Sequence, residues 1–149
     1  MNPLRNFEEF LKDMTIRKQS PDLSRARSLV EEAELRKEFI KKLAEKLELS
    51  YKTANYYIEN AYDTMMELIR AKMLLDGFKS SGANAHEAEI SYLRNLAFPE
   101  AEVRFANELR YFRNQIKYYG KRMDSDYAKK VLEFLEKIYP KLKQFLTKI

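Results

Sequence analysis

The chain has 149 residues, a formal net charge of +5, and 45% hydrophobic against 34% charged residues, which suits one packed domain and not a disordered tail. Three glycines and four prolines are too few for the repeated turns of a β-sandwich, a barrel or a doubly wound sheet, so an all-α fold is left. Without cysteine and with one histidine the chain has no thiolate or multi-histidine metal site; it also has no apolar run of about 18 residues to span a membrane, and its acidic start lacks a signal peptide's apolar stretch.

No metal or cofactor, no membrane and a cytoplasmic location are therefore the expectations. In chain order, a short helix is predicted over about Pro3 to Arg17, with Leu4, Phe7, Phe10, Leu11 and Met14 on its apolar side. Ser20-Pro21-Asp22 breaks it and opens a second helix reaching about Leu47. There Ala26, Leu29, Val30, Ala33, Ile40, Leu43 and Leu47 recur at helical spacing, and Glu32–Arg36 and Glu38–Lys42 are i,i+4 pairs of favourable order. Ser50 is placed to cap a third helix that Gly77 stops. This helix is apolar on two faces: Ala54, Ile58, Ala61, Met65, Leu68 and Leu75 on one, Tyr62, Met66, Ile69 and Met73 on the other. It belongs in the middle of a bundle.

After the polar stretch from Ser80 to Asn84, a short fourth helix is predicted from about His86 to Leu96. Pro99 opens a fifth over Glu100 to Tyr119, closed by Gly120, with a seam of Phe105, Leu109, Phe112, Ile116 and Tyr119. The sixth runs from about Ser125 to the end through Tyr127, Val131, Phe134, Ile138, Leu142 and Phe145, with Pro140 expected to kink or divide it. Short connections make this an antiparallel up-and-down bundle of four to six helices.

Charge is uneven along this plan. From Arg104 onward there are 12 Lys/Arg against 5 Asp/Glu, whereas the first 103 residues hold 16 against 18. Lys129 to Lys148 also reads as a simple solvated face, but a field concentrated in one third attracts phosphate backbones or an acidic partner. On a helical wheel of about 100° per residue, Arg110, Arg113, Lys117 and Lys121 of the fifth helix fall within about 80°, beside the apolar seam. Arg113 is nearest the seam, where a half-solvated guanidinium grips phosphate or carboxylate in bidentate fashion. Tyr111 and Tyr118, seven apart, form an aromatic pair on another side. Cations interleaved with rings suit single-stranded nucleic acid; an Arg paired to a neighbouring Glu and tyrosines packed on another subunit remain the structural alternative.

The segment Arg113-Asn114-Gln115-Ile116-Lys117-Tyr118-Tyr119-Gly120 resembles the signature of the HEPN superfamily, an Arg with a polar companion and, after four to six intervening residues, a His. The likeness extends over the helix arrangement from Ser50 to the C-terminus, with 1–19 as an added N-terminal helix and 1–149 as one domain. It implies a homodimer whose motif helices face one another across a cleft, and, in catalytic members, metal-independent RNA cleavage by Arg and His. Many members pair as toxins with a small MNT-type nucleotidyltransferase. Arg113 matches the motif Arg and Asn114 its companion, but Tyr118 stands at the first His position, and neither Tyr119 nor Gly120 supplies an imidazole. With a reference pKa near 10, Tyr is a poor general base at neutral pH. The resemblance thus implies a catalytically degenerate module that binds RNA or a nucleotide phosphate, with Arg113 gripping phosphate, Asn114 orienting it, Tyr118 contacting it, and Arg110, Lys117 and Lys121 supplying field.

Two alternatives stay open at this point: an endoribonuclease that uses Arg113 with His86 or Tyr118, and a structural domain that recruits an acidic protein. His86 either supplies the missing imidazole from another helix or, as an ordinary helix-start residue, bonds a backbone carbonyl or packs on Tyr92. Glu87 and Glu89 point about 200° apart on the wheel and make no carboxylate pair. Arg-Asn also occurs at Arg5-Asn6 and Arg94-Asn95, and only the third copy has the downstream tyrosines.

Overall fold

The computed structural model describes residues 1–147 and 149. Its elements run α1 (Phe7–Lys12), β1 (Ile16–Lys18), α2 (Leu23–Lys46), α3 (Ala54–Leu75), β2 (Phe78–Ser80), α4 (Ala85–Asn95), α5 (Glu100–Tyr119) and α6 (Ser125–Gln144). The all-α bundle is present, with one small addition that periodicity does not predict, a two-stranded ribbon.

α3 is the central post because both of its apolar stripes find partners. It packs against α2, α4, α5 and α6, and every stripe residue named above except the half-buried Leu75 is buried. α2 lays one face of Ala26, Val30, Ala33 and Ile40 on it. Glu38–Lys42 at 3.5 Å lies on the outer side of α2, while Arg36, 3.6 Å from Glu32, reaches across to Glu67 and Asn60 of α3. α5 ends where the sequence places its stop: Gly120 adopts a left-handed φ of 64° and its N–H bonds the Gln115 carbonyl.

Several expectations are corrected. The first helix spans only six residues, because Met14 turns the chain at a φ of 68° and leaves its side chain exposed. Thr53, not Ser50, stands at the N-cap position of α3; Ser50 instead opens the preceding turn, its N–H bonded to Thr53 Oγ1. Tyr119 is exposed rather than part of the α5 seam. α6 is continuous through Pro140 and ends at Gln144, so the proline does not divide it; Lys148 lies outside the described residues. Leu47 is exposed as well.

The ribbon forms where the turns after α1 and α3 meet. β1 and β2 are antiparallel, with Ile16 opposite Ser80, Arg17 opposite Lys79 and Lys18 opposite Phe78. Bonds from Gln19 N–H to the Gly77 carbonyl at 2.8 Å and from Asp22 N–H to the Leu74 carbonyl at 3.0 Å extend this seam to the end of α3. Gly77 is obligatory on two grounds: its φ is 84°, and a Cβ would lie 2.7 Å from the Gln19 carbonyl oxygen. Phe7, Phe78 and Tyr92 pack ring to ring at 4.8–5.9 Å and fasten α1 and β2 to α4.

The first two Arg-Asn copies have structural employment. Arg94 bonds both carboxylate oxygens of Glu100 and donates Nη1 to the carbonyls of Leu4 and Arg5 and to Asn6 Oδ1. Arg5 pairs with Asp13 at 3.4 Å and Glu87 at 3.1 Å. Asn6 closes a capping box with Glu9 at the start of α1.

Candidate functional site

The third copy is different. Arg113 projects from α5 towards α3, where its guanidinium lies 5.3 Å over the Tyr62 ring and its Nη2 is 3.8 Å from Asp63 Oδ1. Only 12% of the side chain is exposed, yet among the described residues the guanidinium makes no hydrogen bond, and its buried Nε has no partner. Other half-buried arginines of the bundle are hydrogen-bonded: Arg36 bonds Glu67 and Asn60, and Arg70 forms a two-pronged pair with Glu89 at 2.8 and 2.9 Å. An unpaired buried polar group costs about 1–3 kcal/mol, more when charged, so Arg113 is held in a position that its own protomer does not satisfy.

Tyr62 connects Arg113 to His86. Tyr62 is fully buried in the second stripe of α3, and its hydroxyl lies 3.0 Å from His86 Nδ1. Burial raises the phenol's pKa, so it stays protonated at any physiological pH. Among the described residues His86 neither bonds a backbone carbonyl nor packs its ring on Tyr92; Tyr92 donates its hydroxyl to Asp76 instead. Burial, reinforced by Arg70 and Arg113, lowers the His86 pKa against the opposing pull of Glu89 and Asp63. A neutral imidazole and a cationic guanidinium therefore bear on one buried ring.

The remaining predicted residues are placed unevenly. Arg110 turns back on its own helix and bonds Asn107 Oδ1 with Nε and Nη2. Asn114 is half-buried and makes no side-chain hydrogen bond among the described residues. Lys117 and Tyr118 are exposed and lean on each other, with Nζ 5.8 Å from the ring centre. Tyr118 and Tyr111 are not stacked; Tyr111 packs edge-on against Phe112. Lys121 lies past the helix end, so the wheel does not govern it, and its Nζ sits 5.1 Å over Phe112. The cations are near one end of α5, but only Arg113 enters the bundle.

Glu87 and Glu89 point to different partners, Arg5 and Arg70. Among the described residues no three His, Asp or Glu side chains converge to hold a metal, and no helix is long and apolar enough to cross a membrane. Tyr62, Asp63, Arg70 and Glu89 are the site's neighbours that periodicity misses. The available clue was Tyr62: a phenol in an otherwise Met- and Ile-lined stripe needs a polar partner once buried. No family model, curated protein or solved structure matches this chain.

Proposed function

We propose that this protein is a HEPN-like module, dimeric through its motif helices, that binds RNA or a nucleotide phosphate at Arg113. The carrying observation is the guanidinium that is mostly buried, within 4 Å of one carboxylate and without a hydrogen bond among the described residues. A phosphate oxygen pair is the partner whose geometry completes it. Asn114 offers amide donors one residue on, and Lys117 and Lys121 add positive field at the exposed end of α5. Tyr118, free on the surface, suits stacking on a base better than proton transfer. A small nucleotidyltransferase is the protein partner to which the family resemblance points.

A second reading, metal-independent RNA cleavage with His86 as base, draws on a specific contact: Tyr62 touches both His86 and Arg113. The lowered pKa of His86 keeps the imidazole in its neutral, base-competent form at pH 7. The binding reading stands first because it needs no movement of His86 out of its hydrogen bond.

One pair of measurements decides between them. Fluorescence anisotropy with a single-stranded RNA should show binding that Arg113→Ala weakens by about tenfold or more; unchanged binding refutes the Arg113 assignment. Incubation of the same RNA with wild type and His86→Gln should give no His86-dependent product. Such a product would replace a binding module by a nuclease.

A further inference from the structure

His86 also lines a second feature, independent of whether Arg113 meets RNA. A cavity of about 140 Å³ opens where α2, the end of α3, β2 and the start of α4 meet, lined among others by Arg25, Arg70, Lys79, Ser80, His86 and Glu89. One water needs about 10–15 Å³ of such space, so there is room for a tetrahedral oxyanion with water around it.

Its charge is strongly one-sided. Glu89 is the one acid in the lining and is already spent: Arg70 grips both of its oxygens, and Ser80 donates to Oε2 at 2.6 Å. Arg25 and Lys79 have no carboxylate within ion-pair distance among the described residues, and both are exposed. Arg17 stands directly opposite Lys79 on the ribbon, also without an acidic partner. Like charges facing each other across two strands repel, and that arrangement is relieved by an anion between or beside them. Ala85 and His86 bring the positive first turn of α4 to the same wall, where the Asn84 side chain supplies no cap.

His86 is oriented to donate. The Tyr62 hydroxyl and Nδ1 share one hydrogen bond, in which the phenol is the donor when the imidazole carries its proton on Nε2. With Nδ1 engaged by Tyr62, Nε2 is the ring nitrogen left to bond a ligand. The lining therefore presents donors from Arg25, Arg70, Lys79 and His86, and its carboxylate is neutralised from behind.

We infer that this cavity is a binding site for a terminal phosphate, a phosphate monoester dianion held between Arg25 and Lys79 with Arg70 and His86 at its floor. Either a free mononucleotide or the 5′ end of an RNA carries that group. Glu89 is a positioning residue that holds the Arg70 guanidinium in place and does not touch the ligand.

Isothermal titration with inorganic phosphate, AMP and adenosine tests the site. Saturable binding of phosphate and AMP, none of adenosine, and at least about tenfold weaker binding by an Arg25→Ala/Lys79→Ala double variant are expected. These two side chains are exposed and unpaired, so the variant should melt with the wild type; Lys79→Glu, which inverts the charge, should weaken binding further. Arg113→Ala should leave intact the binding event that Arg25→Ala/Lys79→Ala removes, whatever it does to RNA binding at α5, which separates failure here from failure of the Arg113 reading. Comparison of AMP with a 5′-phosphorylated and a 5′-hydroxyl RNA hexamer then tells which source is preferred, the tighter phosphorylated ligand being the one used. No saturable phosphate binding, equal binding by the double variant, or equal binding of adenosine would each overturn the assignment.

Discussion

Replacement of Arg70 by Met leaves Glu89, 1% exposed, without its cation. Removal of one partner from a buried pair costs about 3–5 kcal/mol, and a large fall in melting temperature by circular dichroism is the expected result. The same replacement at Arg113 deletes no hydrogen bond, so Arg113→Met should keep stability within about 1 kcal/mol of wild type while losing RNA affinity. Equal destabilisation by both would mean that Arg113 is structural. His86 gives a pH signature. Its pKa is lowered by burial in the folded protein, so unfolding takes up a proton once the pH falls below the unfolded value near 6.5. The neutral ring's contribution is fully present above that pH and is lost as the pH falls through the lowered folded value. Glu67, raised by burial, acts in the opposite sense. Melting curves from pH 7.5 to 5 should therefore decline more steeply for wild type than for His86→Gln, and parallel curves would contradict the burial of the imidazole.

At the scale of elements, Gly77→Ala combines a left-handed φ with a Cβ 2.7 Å from a carbonyl oxygen. A destabilisation of about 1–3 kcal/mol or more is expected from chemical denaturation, whereas Gly82→Ala, with open space around its Cβ, should cost only the backbone part. Gly77 also shows what the sequence could reveal. A glycine after an apolar helical run marks a helix end, and both Gly77 and Gly120 do so in the structure. It does not reveal that the chain beyond Gly77 pairs with residues 16–18, because a three-residue strand has no periodicity and its partner lies far away in sequence. Met14 and Ala97 adopt positive φ without being glycine, so no local signal marks those turns. The candidate site was half legible for the same reason. Arg113 stands out by its position beside a seam, but its neighbours Tyr62 and Asp63 come from α3 and read as core and surface until the helices are packed. His86 was visible as the sole histidine; only packing brings its ring to Tyr62.

For the whole molecule, the excess cations near the end of α5 predict a steep response of RNA binding to salt. Three phosphate contacts, by Arg113, Lys117 and Lys121, give a slope of log affinity against log salt near −2 for a single strand at about −0.7 per contact. Lys117→Ala should reduce that slope by about 0.7, with little effect on melting because the side chain is exposed. Titrations at several salt concentrations measure it, and a flat response would remove the nucleic acid from the picture. Arg94 meanwhile joins parts distant in sequence: the carbonyls of Leu4 and Arg5, the Asn6 side chain and Glu100 at the start of α5 all close on one guanidinium. The amino-terminal arm is thereby latched to the helix that bears Arg113, and in amide exchange the two are expected to open and close as a single cooperative unit rather than fraying one residue at a time.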